Sequence, residues 1–299
     1  MNCRALPCLV VFVGIFLMSG LHSQELSPEW KVSFSHAMAA DADLDEGGEL
    51  GFSQTNLRLG VEQPMGRGQS WGLGLESAWH NYNFAGSTPL AATEYWNKVT
   101  DFSLSASWRK PVGDGGMLFA APSVTFARAD GADWGESMEW GGIFSYGRRY
   151  SDSLTIGFGA GFYNGLEDTK FFPVLLVAWQ INPQWRLGNS FRPGPAGPAG
   201  LELAFSPSES WEIALGAGWR SHRFRLDENG AIPNGIAEVE GFPVLIRLSW
   251  TLSDAVTIDL HGGLLLAGEV SLEDEVGHEI YGDDLGTAPI GAVSILAAF

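Results

Sequence analysis

The sequence predicts an all-β protein: a single antiparallel transmembrane β-barrel of about fourteen strands. Three observations predict it. Apolar and polar residues alternate with a period of two along runs of about ten residues. Tight turns alternate with longer polar connections, and beyond the N-terminal segment no apolar run is long enough for a membrane helix. Composition agrees, with 39 Gly, 12 Trp and 18 Phe beside only 17% charged residues and a mean hydropathy near zero. Alternation produces that neutrality, because each lipid-facing residue is offset by a polar neighbour.

The elements follow in order. Arg4 precedes the apolar run Leu9–Met18, and Ser19, Gly20 and Ser23 supply small residues behind it. This is the layout of a secretory signal peptide, with cleavage expected near Ser23–Gln24 or at Gly20–Leu21. Residues 1–23 are therefore expected as signal and 24–299 as barrel. Cys8 lies before the apolar run, where it does not serve as a lipid attachment site. Cys3 and Cys8 leave with the signal, so the remaining chain has no thiol chemistry.

The clearest strand pair starts at Phe242. Phe242, Val244, Ile246, Leu248, Trp250 and Leu252 share one face, against Pro243, Leu245, Arg247, Ser249 and Thr251. After a turn at Ser253–Asp254, Val256, Ile258, Leu260, Leu264 and Leu266 oppose Thr257, Asp259 and His261. The same pattern holds around Phe102–Trp108, Leu154–Phe162 and Trp211–Trp219. A helix needs spacings of three and four, which these runs lack. Phe171–Ile181 is apolar on both faces and is the least typical strand.

Short turns are expected at Pro64–Gln69, Val112–Gly116, Ser151–Ser153, Asn182–Gln184, Ser206–Ser210 and Ser253–Asp254. Longer connections are expected at Asp41–Glu49, Ala85–Asn97, Asp130–Glu136, Gly165–Lys170, Pro193–Gly200, Asp227–Gly241 and Ser271–Gly286. Counting between them gives fourteen strands, within a range of twelve to sixteen, with both termini at the short-turn side. Trp71, Trp108, Trp185, Trp211 and Trp250 fall beside short turns, and Trp79, Trp140 and Trp219 nearer long ones, as two interfacial girdles require. The last apolar face, Gly291, Val293, Ile295 and Ala297, runs to Phe299.

A terminal strand ending in Phe299 resembles the signal read by the outer-membrane barrel-insertion machinery, with Ala297 where an aromatic is often found. Together with the turns Ile181-Asn182-Pro183-Gln184-Trp185 and Tyr150-Ser151-Asp152-Ser153-Leu154, the chain resembles a family of uncharacterised bacterial outer-membrane β-barrel proteins, a domain of unknown function. That resemblance implies a fold and a location in the cell outer membrane, among lipid and lipopolysaccharide. It carries over no active residues.

The polar faces place Arg58, Glu76, His80, Asp101, Arg109, Glu139, Arg186, Glu212, Arg220, Arg247, Asp259 and His261 toward the lumen as candidate pore-lining residues. Lys31, Glu62, Arg192 and Glu202 share those faces. Mixed signs predict cross-strand ion pairs rather than one selective ring. Acidic clusters fall in two connections, Asp41, Asp43, Asp45, Glu46 and Glu49 in one, Glu273, Asp274, Glu275, Glu279, Asp283 and Asp284 in the other. Loose bridging by divalent cations is one reading of them, and simple solvation is the other. An EF-hand is excluded, because Glu46 and Phe52 stand where its glycine and closing glutamate belong.

No zinc-protease, serine-elbow or phosphate-loop motif is present, so no catalytic residue and no cofactor is expected. Gly157, Gly159 and Gly161 lie on one strand face and make room inside the wall. A net charge of −18 argues against nucleic acid as a partner, because phosphates would be repelled. Two functions remain. One is a passive channel or transporter pore for small solutes, with the Ala85–Asn97 loop, which holds Tyr95 and Trp96, folded inward as a constriction. The other is a structural or surface-binding barrel without an open pore.

Overall fold

The structure, a computed structural model, describes residues 27–86, 96–189 and 200–299. The expected signal segment, residues 87–95 of the Ala85–Asn97 connection (Tyr95 among them), Arg192 and all but the last residue of the Pro193–Gly200 connection lie outside them. The described residues form β1 (Glu29–Asp43), β2 (Glu49–Gly66), β3 (Gln69–Ala85), β4 (Lys98–Val112), β5 (Gly116–Ala129) and β6 (Met138–Ser151). Next come β7 (Leu154–Gly165), β8 (Asp168–Gln180), β9 (Trp185–Asn189), β10 (Leu201–Ser208), β11 (Trp211–Ala217) and β12 (Arg220–Arg225). The chain ends with β13 (Ile236–Ser253), β14 (Val256–Glu273), β15 (Glu279–Leu285) and β16 (Ala288–Ala298). No helix among the described residues is long and apolar enough to cross a membrane.

Neighbouring segments pair antiparallel around a closed, 14-strand barrel. β1 closes it by pairing with both β2 and β16, and Trp30 and Phe299 exchange backbone hydrogen bonds of 2.7 and 2.9 Å at the seam. Sixteen segments make fourteen strands because two strands are broken. β11 stops at the Ala217–Val244 pair and β12 resumes at Arg220–Gly241 in the same register along β13. β15 and β16 likewise run along β14, from Leu285–Gly268 to Ala288–Leu265.

Alternation sets the two faces. Leu73, Leu104, Phe144, Phe158, Leu175, Leu215, Ile246 and Leu260 are all at least half exposed on the outer surface. So wide an apolar belt is stable only against lipid. Trp71, Trp108, Trp185, Trp211 and Trp250 are exposed beside the short turns, and Trp79 and Trp140 toward the other end. Trp211 and Trp250 are directly paired across strands and stack at 5.5 Å. Trp219 departs from the expected girdle: it lies half-buried at the break between β11 and β12. Replacing Leu215 with arginine should cost about 2–4 kcal/mol of barrel stability, as a charge facing mid-bilayer does. Urea unfolding from vesicles measures this, and an unchanged midpoint would remove the lipid belt from that face.

Four expected connections are shorter than the sequence implied, among them Asp41–Glu49, which reduces to residues 44–48, so that Asp41, Asp43 and Glu49 stand on strands. Gly165–Lys170 reduces to a two-residue turn, Leu166 and Glu167, with φ of 49° and 61°. Two successive positive φ values make the tight hairpin whose twist matches its strands. The Asp227–Gly241 and Ser271–Gly286 connections shrink to residues 226–235 and 274–278, because β13, β14 and β15 extend into them. Charged residues concealed these strand ends. Glu273, Glu279, Asp283 and Asp284 therefore stand on strands, whereas Asp274 is in the short loop. There Asp274 accepts the backbone N–H of His278 and Val276, which holds its carboxyl below the usual range.

At the long-loop end the wall folds inward. The breaks at residues 218–219 and 286–287 align with a register shift between β13 and β14 at Glu240–Phe242. Ala267 of β14, at φ 46°, marks the bulge there. Above this line β12 crosses the lumen and meets β5 through a parallel bridge at Arg225–Arg128. On the other side Leu285 of β15 bridges to Leu44, just past β1. β1–β5 and β12–β15 thus close a second, narrower ring inside the rim. Rings of about eight strands are filled by their own side chains, and this one is: Leu50, Tyr82, Trp96, Val99, Phe224, Leu226, Val270, Leu272 and Leu285 pack as one buried cluster. Trp96, from the Ala85–Asn97 connection, lies at its centre and is 1% exposed.

Candidate functional site

The lumen has three layers. Nearest the short turns is a cavity of about 520 Å³, bordered by Glu29 and Ala298 at the barrel end. Serines and glycines on β2–β5 keep its wall low, and Lys31, Arg58, Glu62, Glu76, Arg109, Arg186 and Glu212 supply its charge. Arg58 donates to Glu76 at 2.5 Å and Lys31 lies 3.0 Å from Glu29. The signs along the wall are mixed, and Arg58–Glu76 is a cross-strand ion pair.

The middle layer joins two unlike halves. On one side Phe119, Ile143, Tyr163 and Phe172 form an apolar cluster. The ring of Phe172 lies where a Cβ on Gly161 would stand, so that glycine is required by close approach. This cluster explains why β8 is apolar on both faces: Phe172 and Val174 face the lumen, not water. On the other side Arg247 is 2% exposed and forks onto Glu202 at 2.5 and 2.9 Å. It also donates to Glu212 at 2.7 Å, which Arg186 shares at 3.2 Å. Asp259 accepts from Ser249, which in turn bonds Arg247. Such a fully engaged network carries buried charge that would be costly alone. His261 of β14 lies directly opposite Arg247 of β13, half-buried.

The outer layer is the infolded segment, buried on both faces. One face of β12 turns Arg220, His222 and Phe224 toward β2–β4. Arg220 donates to Gln54. His222 and His80 both reach Asp101, at 3.0 and 2.9 Å, and their rings stack at 3.8 Å. Tyr82 lies 2.7 Å from the second nitrogen of His222. The opposite face turns Ser221, Arg223 and Arg225 toward β6–β8. Arg223 binds Glu238 at 3.1 Å, Glu273 at 2.5 and 2.6 Å and the carbonyl of Leu166 at 2.9 Å. Lys170 of β8 joins Glu238 at 2.9 Å. Glu139, 5% exposed, lies near Lys170 and Arg223.

Residues 50–294 match the profile of a family described as Domain of unknown function (DUF6268). The chain belongs to that family. No curated protein matches it. Among solved structures this DUF6268 member is similar to the COG4313 outer membrane channel from Pseudomonas putida F1, at 11% identity and a TM-score of 0.50, over 91% of this chain and 95% of that one. At that identity the likeness shows a common barrel fold. More distant are the translocator domain of autotransporter NalP from Neisseria meningitidis (14% identity, TM-score 0.39, 93% and 90% covered) and the toluene transporter TodX of Pseudomonas putida (10%, 0.40, 90% and 89%).

The twelve candidate residues thus divide among the three layers, with His261 opposite Arg247 in the middle one and Glu139 near Lys170 and Arg223 in the outer one. Arg58, Glu76, Arg109, Arg186 and Glu212 border the cavity. Arg247 and Asp259 form the middle network. His80, Asp101 and Arg220 meet at the infolded strand. Sequence reasoning on this family member missed Lys170, His222, Arg223, Glu238 and the structural place of Glu273. A signal existed. Arg223 and Arg225 continue the odd-numbered face of Trp211, Ile213 and Leu215, and Glu238 and Glu240 continue the even-numbered face of Phe242 and Val244. Charges on a lipid-facing register are expensive, so that pattern marks strand ends that have left the wall.

Proposed function

We propose that this protein is a gated channel for small solutes in the bacterial outer membrane, reached after export by the N-terminal signal. Short turns face the periplasm, and the longer connections face outward among lipopolysaccharide, where Asp45, Glu46, Asp274 and Glu275 bridge divalent cations loosely. The C-terminal strand, which closes the barrel on β1, is the element offered to the insertion machinery. The reading rests on one observation: a barrel wide enough for a lumen holds a charged cavity in its short-turn half and is stopped in its long-loop half by a segment of its own wall. Arg58, Glu76, Arg109, Arg186 and Glu212 line the entry, the Arg247–Asp259 network with His261 narrows it, and His80, Asp101, Glu139 and Arg220 stand at the gate.

Mixed charge along the path suits neutral or zwitterionic solutes over ions of one sign. Purified protein in planar bilayers should show brief openings from a mostly closed level, and proteoliposomes should swell slowly in small neutral sugars. The dry packing of the outer ring favours a second reading, a barrel that never opens and serves structure or surface binding. A protein silent in both assays, even after the gate is weakened by mutation, would establish that second reading.

A further inference from the structure

We propose that His80, Asp101 and His222 form a transition-metal site, with Zn²⁺ its simplest occupant, that ties the infolded strand to the barrel wall. Two imidazoles and one carboxylate are a donor set suited to Zn²⁺ and its neighbours rather than to calcium or magnesium. Their ligating atoms all lie within 4.8 Å of one another. The two Nε2 atoms stand 2.9 and 3.0 Å from the same carboxylate oxygen of Asp101. Ligands held about 2.0–2.1 Å from a tetrahedral ion are roughly 3.3 Å apart, so each histidine needs to draw back slightly from the Asp101 oxygen. The stacked rings must also splay, so that each nitrogen lone pair points at the ion.

The surroundings supply what a metal-bound histidine needs. A ligating imidazole donates its other N–H to a fixed acceptor, which orients the ring. The Tyr82 oxygen is in place, 2.7 Å from His222 Nδ1. With the proton on Nδ1, His222 donates to Tyr82 and leaves Nε2 free for the ion. Three protein ligands leave a fourth position for water. Arg220, held by Gln54, is a neighbouring cation, so the site holds a single ion and not a cluster.

Placement gives the site its consequence. His80 and Asp101 belong to the wall strands β3 and β4, whereas His222 belongs to β12, which crosses the lumen. An ion bound by all three is bound only in the closed arrangement, and by mass action stabilises it. Binding stands on the geometry alone; its effect on conductance rests on the gate reading above.

The test uses untagged full-length protein in detergent, stripped with EDTA and titrated with Zn²⁺ in a calorimeter. One ion per chain is expected. His80→Ala and His222→Ala should each weaken binding about hundredfold or more, and Tyr82→Phe about tenfold, the range for a ligand's outer partner. Co²⁺ in place of Zn²⁺ should give visible d–d bands that His222→Ala abolishes. Heat-modifiable mobility shows that each variant is still a folded barrel. No stoichiometric binding to folded wild-type protein, or binding unaltered in the double histidine variant, overturns the site. In bilayers Zn²⁺ should lower the open probability of wild type and not of His222→Ala. Stoichiometric binding without that effect upholds the site and overturns the gate reading.

Discussion

Replacing Arg223 with alanine is expected to raise the open probability of the barrel by two to three orders of magnitude. Arg223 is 5% exposed and holds four things at once: its own strand β12, Glu238 on β13, Glu273 on β14 and the Leu166 carbonyl on the β7–β8 turn. It therefore pins the infolded sheet to the wall it crosses toward. Alanine leaves the partly buried Glu273 without this partner, and the buried Glu238 with only Lys170 and Ser221. Removing one member of a buried ion pair costs about 3–5 kcal/mol, and each 1.4 kcal/mol is about tenfold in population. Arg223→Lys keeps the charge but loses the fork, and should open less. Single-channel recording measures both. If the open probability of Arg223→Ala matches wild type while its mobility shows an intact barrel, the infolded segment is not what stops the lumen.

A comparable loss is expected from Trp96→Ala, by a different route. The indole is packed against Tyr82, Phe84 and Phe224, with ring centroids 5.0, 4.7 and 5.3 Å away. Deleting a buried tryptophan removes its transfer energy and leaves a cavity, together about 3–5 kcal/mol. The inner ring should loosen while the outer barrel, held by its backbone ladder, persists. Limited proteolysis in the 226–235 connection would report the loosening, and urea unfolding of the barrel should shift much less. Trp96→Phe refills part of the space and should fall between. Equal protease resistance in all three proteins would show that Trp96 does not hold the ring together.

Most of the barrel was legible in the sequence because lipid on one side and polar groups on the other force a strict period of two. The runs Phe242–Leu252 and Val256–Leu266 show that period, and they are the wall halves of β13 and β14. The strand count followed from the turns. What failed to show was the outer third of the β12–β15 region. Ala267 shifts the register of β14, so Leu265 and then Val270 and Leu272 face inward with odd and even numbers in turn. Read without the bulge, that stretch loses its alternation and resembles a loop. Charge hid the rest. Glu238 and Glu273 fall in expected polar connections, and only the fold shows that Arg223 neutralises both in an interior. The lumen residues of the wall were readable by parity, and the charges of Arg223, Arg225, Glu238 and Glu240 on the lipid-facing register mark a strand that leaves the wall, but no local pattern says that His222 would then meet His80 and Asp101.

The length of β13 has a consequence for how such a gate moves. Were all eighteen residues to follow the wall, extended at about 3.3 Å each and tilted by about 40°, they would rise roughly 45 Å along the barrel axis, and the wall part from Phe242 alone rises roughly 30 Å. The hydrocarbon belt of an outer-membrane barrel is only about 25 Å tall. The upper reach of β13, with β12, β14 and β15 beside it, therefore stands clear of the bilayer. If that reach swings outward to complete the fourteen-strand wall, Arg223, Arg225, Glu238 and Glu240 turn toward water, not toward acyl chains. Opening exchanges buried ion pairs for hydrated ions, a far smaller cost than placing arginine in oil. The membrane thus sets the height of the hinge: below it the wall must remain apolar outside, and above it the protein is free to rearrange its charges.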